Sequence, residues 1–444
     1  MTPGPSLTSE EASGVMKQRP SFLTKAVGRG AAAMRAWFRP TPYRAWVVLL
    51  GILMACGAVA GLIVFARGLV VTNLNDLVPW GLWITIDLTA IAMSAGAFLL
   101  CAAVYLLGLK RYQPLARTAT YIGLIGYSMA VLTLLLDIGR PERFWHALVY
   151  WNPHSVLWEV TMCVTLYFSV LVLESAPIFG RTAWLRRHWP AVAGRLQSLH
   201  HYAPYLAIVG LGLSMLHQSS LGATYGVLKA RPIWYRPDLS VLFIVSAMAA
   251  GPALTVLVSM LAARLSRSVR VDDRLLEKVA GFIGWVLVGY LYFRFWDAFA
   301  MTYTYDPGRT EGLHLLTAGP LSFNFWAIEI LLGAVVPIMV LLYRPWRENP
   351  LLRMTALLLV VLGIGAYRWD TTLAGQLVIV SYLPQDLASR YTTYVPSLIE
   401  FVSGAGVLAY GALALTLGIR HLDVVDHAQE IEGETALERA PSAA

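Results

Sequence analysis

Four side chains able to take up and release protons or share hydrogen bonds stand among apolar residues: Asp87, Tyr127, Glu159 and His217. His217 opens the run "HQSS", where Gln218, Ser219 and Ser220 follow an otherwise apolar stretch. Such groups in hydrocarbon cost at least a few kcal/mol each on insertion scales, so each asks for a reason. A carboxylate, a phenol and an imidazole brought together can hydrogen-bond the oxygens of an apolar ligand and exchange protons with it. That chemistry requires separate helices to converge.

The elements that must do this are read from composition. Of 444 residues, 57% are hydrophobic and only 14% charged, with 15 Trp and a mean hydropathy of +0.60. Apolar stretches of membrane-spanning length recur, which excludes a water-soluble protein. The fold class expected is all-α, a polytopic membrane protein of ten transmembrane helices. The spans read are Ala45–Phe65, Trp80–Leu109, Thr118–Leu136, Ser155–Leu173, Tyr202–Leu221, Leu239–Ala263, Leu275–Tyr292, Phe323–Tyr343, Leu351–Tyr367 and Pro396–Ile419. The second and sixth are long enough to tilt or to extend into water.

Residues 1–44 are polar and basic, lack an apolar signal segment, and read as a cytoplasmic arm; 45–420 form the transmembrane domain and 421–444 a cytoplasmic tail. The amino-terminal arm, the even-numbered loops and the tail hold 24 of the 34 Lys and Arg. The positive-inside rule then puts both termini in the cytoplasm, and the net charge of +8 belongs to cytoplasmic loops rather than to a nucleic-acid surface.

With that orientation the polar residues gather toward the outer leaflet. Helices 2, 4, 8 and 10 carry Asp87, Glu159, Glu329 and Glu400 soon after they enter from outside. Helices 3, 5, 7 and 9 carry Asp137 and Arg140, His217 and Gln218, Arg294 and Asp297, and Arg368 and Asp370 near their exits. Asp87 lies about 10 Å along its helix from Trp80. The cytoplasmic halves offer little comparable, with Glu174 at a span end. A structural reading stands beside the functional one: Glu400, Asp297 and Asp370 can serve helix ends, the "DIGRPERF" charges can fix a turn, and His217 can be a satisfied structural histidine.

Three cysteines, Cys56, Cys101 and Cys163, are far apart. They cannot hold an iron–sulfur cluster alone, which needs about four thiolates. Of nine His only His217 lies clearly inside a span, which disfavours paired haems. A transporter would put its site at the midplane on broken helices; Gly251–Pro252 and Pro337 interrupt helices 6 and 8, but the carboxylates lie near one face. A channel lacks a repeat. A quinone fits better: it arrives through lipid, needs partners for two oxygens, and exchanges two protons with two electrons. The electrons would come through a cluster-bearing partner on the outer face. A transporter and a purely structural membrane anchor remain alternatives.

The segments "LLLDIGRPERFWHALVYWNPHSVLWEVTMCVTLYFSVLVLE" (134–174), "LVPWGLWITIDLTAIAMSAGAFLL" (77–100) and "SMLHQSSLGATYGVL" (214–228) resemble the NrfD/polysulfide-reductase membrane subunit family. The likeness is to its ten-helix branch, which holds hydrogenase and sulfite-reductase-associated membrane subunits. The resemblance implies two four-helix bundles with flanking helices, and a menaquinone or ubiquinone pocket in the first bundle, helices 2 to 5. It implies no haem and no iron–sulfur cluster in this chain. It implies a periplasmic ferredoxin-like iron–sulfur subunit and a larger catalytic redox subunit as partners, in a bacterial inner membrane. On it, Asp87, Tyr127, Glu159 and His217 serve quinone binding and proton exchange. Asp137, Arg140 and Gln218 form the pocket rim, and Glu329 with Arg294 a possible proton route. The outer segment "DAFAMTYTYDPGRTEGLHLLTAGPL" is sizeable enough to dock the iron–sulfur subunit.

Overall fold

Backbone in hydrocarbon has to satisfy its own hydrogen bonds, and the apolar runs of this chain do so as helices. The computed structural model describes residues 41–266, 269–304, 306–381, 390–422, 424 and 425. Among these residues ten helices are long and apolar enough to cross a membrane: α1 (Pro42–Arg67), α2 (Leu82–Tyr105), α3 (Gln113–Asp137), α4 (Val156–Gly180), α5 (Ala203–Gly226), α6 (Asp238–Leu265), α7 (Asp273–Tyr303), α8 (Asn324–Leu342), α9 (Pro350–Leu377) and α10 (Leu398–His421). The protein is an all-α, multi-pass membrane protein. Most of the basic arm expected at 1–44, and the tail beyond Val425, lie outside the described residues.

Local chemistry sets the helix starts. The Ser155 hydroxyl accepts from Trp158 N at 3.3 Å, and Asn349 Oδ1 accepts from Leu351 N at 2.9 Å. Ser397 and Glu400 form a reciprocal capping box at the start of α10. Several helices run past the bounds read from hydropathy. α4 ends at Gly180 rather than Leu173, α7 at Tyr303 rather than Tyr292, and α9 at Leu377 rather than Tyr367. A hydropathy reading stops at Glu174, Arg294 and Arg368; the helices continue because these groups are housed inside the protein. α7, at 31 residues, is the longest helix, whereas α2 is shorter than expected, with 24. Part of the segment read as an outer loop between helices 7 and 8 is therefore α7 itself, and another part is a short helix, Arg309–Thr317.

α2, α3, α4 and α5 pack as a closed ring, each against its neighbours, and α6, α7, α8 and α9 form a second ring. α2 lies along α6 and joins the two. At that seam Gly96 approaches the backbone of Ala247 so closely that a Cβ would sit on the Ala247 carbonyl oxygen, the close packing that small residues allow in membranes. α10 covers α3 and α2, and α1 meets α10 where Gly57 faces Gly406. α6 continues unbroken through Pro252. α8 is wound as a wide π-helix over Asn324–Val335 and tightens to α geometry from Val336, beside Pro337.

One expected outcome follows from the seam. Gly96→Ala forces its methyl against the Ala247 carbonyl and lowers the thermal midpoint of the detergent-solubilised protein by several degrees, since overpacking costs about 1–3 kcal/mol. Gly289→Ala, whose Cβ meets nothing within 4 Å, holds or raises the midpoint. Equal behaviour of the two variants contradicts the packing described.

Candidate functional site

The first ring encloses a cavity of about 800 Å³ near the face where α2 and α4 begin and α3 and α5 end. For orientation this is the Trp80 face, and the opposite one the Glu174 face. Ile84, Leu134, Val160, Phe168 and Leu221 give the cavity apolar walls on all four helices, and Asp87, Asp137 and Arg143 give it charged groups. Several lining side chains, among them Leu157 at 57% and Phe144 at 56% exposure, face outward, so the cavity opens on the apolar surface of the protein.

Asp87 is the buried polar group of this cavity. Its residue is 3% exposed, and its Oδ1 is buried with no hydrogen-bond partner among the described residues. Asp137 Oδ1 is in the same state, and its charge acts on Asp87. Two carboxylates thus share one cavity. A buried carboxylate oxygen without a donor is the exception in folded proteins and calls for a ligand, a proton or a water.

Tyr127 and His217 lie one helical turn away from this lining, at Val131 and Leu221 respectively, and both are fully buried. The Tyr127 hydroxyl hydrogen-bonds His217 Nδ1, while His217 Nε2 is buried without a partner among the described residues. Glu159, half-buried, accepts a hydrogen bond from the Ser220 hydroxyl at 2.7 Å, and Ser220 lies nearly one turn beyond His217. So Asp87 faces the cavity itself, Tyr127 and His217 form a pair beyond its wall, and Glu159 is tied to α5 at its side. Of the expected rim, Asp137 lines the cavity. Arg140 is exposed and does not line it; Arg143, three residues on, does. Gln218 turns to the second ring, where its Oε1 lies 3.5 Å from Arg368 Nη2.

Glu329 and Arg294 sit in a different place, inside the second ring. Arg294 Nε donates to Glu329 Oε1 at 2.8 Å and its Nη1 to Asp297 Oδ2 at 2.7 Å. The Tyr290 hydroxyl donates to Glu329 Oε1 at 2.8 Å, and Arg236 reaches Asp297 at 2.5 Å. Asp370 accepts from Asn324 Nδ2 at 2.8 Å. Glu400 accepts from Asn73 N at 3.0 Å and Ser397 N at 2.8 Å and from the Tyr394 hydroxyl; burial, with that bond, pushes the Tyr394 phenol well above its ordinary value. Asp297 and Glu400 therefore have protein partners for their charge, whereas Asp370 Oδ2 is buried with no hydrogen-bond partner among the described residues. The Glu142–Arg143 pair, at 3.9 Å, is exposed.

Further polar and aromatic residues stand beside these, Arg368 among those the sequence placed near a helix exit. Arg368 is fully buried, rests on the Phe243 ring at 3.6 Å and donates to Ser246 Oγ at 2.9 Å, linking the rings. At the cavity end Trp80 stacks on Trp234, and Tyr225 meets both edge-on, with Trp80 and Tyr225 centroids 5.5 Å apart. Tyr167 carried one usable signal, its spacing of seven from Glu174 on one helix face. Among the described residues no group of three or more His, Cys, Asp or Glu is placed to hold a metal ion.

Comparison with known proteins bears on this geometry. The family described as "Polysulphide reductase, NrfD" matches residues 70–380. The chain is 33% identical over 397 residues to "Menaquinone reductase, integral membrane subunit" of Nitratidesulfovibrio vulgaris, covering 87% of this chain and 93% of that protein. It is 28% identical over 375 residues to "Probable Ni/Fe-hydrogenase 2 b-type cytochrome subunit" of Escherichia coli, covering 82% and 87%. To "Hdr-like menaquinol oxidoreductase integral membrane subunit" of Archaeoglobus fulgidus it is 25% identical over 391 residues, covering 85% and 92%.

The charge network of the second ring generates a stability test. Arg294→Met leaves Glu329 and Asp297 short of a buried partner and costs about 3–5 kcal/mol. Arg294→Met with Glu329→Leu recovers part of that loss, because one stranded charge is gone and Asp297 keeps Arg236. Chemical unfolding in detergent measures both. A single variant as stable as the parent contradicts the pairing.

Proposed function

Because the chain belongs to the polysulphide reductase NrfD family, we propose that it is the integral membrane subunit of a quinone-linked oxidoreductase complex and that quinone docks in the Asp87 cavity. The observation that carries this reading is the cavity: about 800 Å³, apolar in its walls and holding a buried carboxylate oxygen without a donor. Its volume lies in the range of small-ligand sites, roughly 300–1,000 Å³, which combine apolar lining with a few placed polar groups. Menaquinone and ubiquinone both suit such a space, since the exposed lining meets lipid where these carriers dissolve.

The roles of the chain's own residues follow from placement. Asp87 holds one ligand oxygen or a proton bound for it. Asp137 and Arg143 lie at the same cavity and supply the charges through which Asp87 exchanges protons with water at the Trp80 face. The Tyr127–His217 pair and the Glu159–Ser220 pair fix α3, α4 and α5 against each other, so that the wall keeps its shape, and His217 and Glu159 stand within a turn of the cavity lining, from where they would exchange protons with a bound quinone. Bound quinone supplies two-electron, two-proton redox chemistry. The electrons pass to or from a partner, which we take to be a ferredoxin-like iron–sulfur subunit on the Trp80 face with a larger catalytic subunit beyond it. The short helix Arg309–Thr317 lies in the loop that would receive it. Relatives named as integral membrane subunits of a menaquinone reductase and of an Hdr-like menaquinol oxidoreductase support that assembly. The basic bias of the opposite loops supports cytoplasmic termini and an inner-membrane location. The closed pairing of Arg294 with Glu329 and Asp297 supports an anchoring role for that network in place of a proton route.

Two variants of the intact complex test the site. Asp87→Asn removes a proton-exchanging group and lowers quinone-linked turnover on the order of a hundredfold, with quinone-analogue affinity changed only a few-fold. Thr161→Trp, at a half-buried lining position, fills the opening and weakens analogue binding while the complex assembles. Turnover and affinity at parental levels in both place the quinone elsewhere.

A further inference from the structure

At the Glu174 face, opposite the Asp87 cavity, the chain gathers positive charge. Residues 175–237 hold no Asp or Glu, and the stretch between α4 and α5 carries Arg181, Arg186, Arg187 and Arg195. The loop between α2 and α3 adds Lys110 and Arg111, again with no acidic residue. The stretch between α4 and α5 folds as two short helices, Ala183–His188 and Pro190–Ser198. It is fixed to α4, because Gln197 Nε2 donates to the Gly180 carbonyl at 2.7 Å and Ala193 is buried. Its Trp184 and Trp189, and Tyr202 and Tyr205 beyond them, are exposed. Exposed aromatic rings beside arginines suit the headgroup layer of a bilayer.

The same helix ends frame a cavity of about 60 Å³, lined by Tyr105, Gln113, Arg117, Glu174, Arg181 and His200 among others. That is about two waters' share of liquid volume, enough for a phosphate group. Gln113 opens α3 with Arg117 one turn on, Arg181 follows the end of α4, and His200 stands just before α5. Two long helices therefore start at the cavity, and helix starts offer free N–H groups and positive dipole ends to an anion. The charges of Arg117 and Arg181 both act on His200 and on Tyr105. With Glu174 ionised the two arginines still leave the cavity net positive, and the single charge of a phosphodiester neutralises it. Guanidinium groups match phosphate oxygens with paired donors. Glu174 Oε2 is buried without a partner among the described residues, which leaves it to an occupant that the chain does not supply.

We propose that this cavity seats the phosphate of an anionic phospholipid between Arg117 and Arg181, with the acyl chains against the exposed aromatic residues of the neighbouring stretch. The surrounding arginines attract a headgroup of net negative charge and disfavour the added ammonium of a zwitterionic one. Free inorganic phosphate shares the chemistry of the cavity but gains nothing from the aromatic surface. The site stands at the opposite end of the first ring from the Asp87 cavity and does not depend on the quinone reading.

The test uses the full chain, stripped of lipid in a neutral detergent. It is titrated with phosphatidylglycerol, with phosphatidylethanolamine of the same acyl chains and with inorganic phosphate, and bound lipid is read by native mass spectrometry. Phosphatidylglycerol should bind on the order of tenfold more tightly than phosphatidylethanolamine, and inorganic phosphate at the same concentration should not displace it. Arg117→Gln and Arg181→Gln should each weaken phosphatidylglycerol about fivefold, and Arg181→Lys should keep part of the affinity. Arg344→Gln, beyond α8 and paired with Glu348 outside the cavity, should leave it at the parental level. Arg181 is exposed, so its variants fold and test the site even where Arg117→Gln disturbs packing. Equal binding of the two lipids, displacement by inorganic phosphate, or parental affinity in Arg181→Gln overturns the proposal.

Discussion

An ionisable group surrounded by hydrocarbon has to find another polar group within reach, or the helix that carries it is driven out of the membrane. This constraint orders the protein. In the second ring Arg294 serves Glu329 and Asp297, Arg236 serves Asp297, and Tyr290 completes Glu329, while Asp370 Oδ2 stays without a donor among the described residues. Such a network fixes α7, α8 and the loop that leads into α6 against each other, and the wide π winding of α8 is where Glu329 reaches it. The first ring meets the same constraint differently. Its carboxylates Asp87 and Asp137 face a cavity and keep oxygens without donors.

The contrast between the rings is the physical basis of the functional reading. A charge pair with every donor used is inert toward a ligand, since exchanging it costs the pairing. A carboxylate beside open space can accept a hydrogen bond or a proton from whatever enters. Arg368 belongs to neither ring alone: it rises from α9, touches Gln218 of α5 and Ser246 of α6, and stacks on Phe243. Through it the residue next to His217 is held by the second ring, so the rigidity of one ring steadies the wall of the other.

Packing of small residues makes the arrangement possible. α2 supplies Asp87 to the cavity and Gly96 to the seam with Ala247, so one helix is both wall and joint. Aromatic contacts among Trp80, Tyr225 and Trp234 close the end of the cavity. Gln376 at the end of α9 holds Trp80 by bonds to its backbone N at 2.9 Å and O at 2.7 Å.

Much of this was legible in the residues themselves. Ten spans, their alternation and the gathering of polar groups at one face follow from hydropathy and from the placement of Lys and Arg, because lipid imposes length and helicity on each segment separately. The motif "DIGRPERF" and the run "HQSS" pointed to the helices that build the cavity. What the sequence could not decide was which polar groups meet. Asp87 at the cavity, Tyr127 on His217, Glu159 on Ser220 and Gln218 turned toward Arg368 depend on the rotation of each helix about its axis, which side-chain packing between helices sets. The helix ends at Gly180, Tyr303 and Leu377 were hidden for the same reason: a charge reads as a boundary until tertiary structure provides the partner or the cavity that keeps it inside.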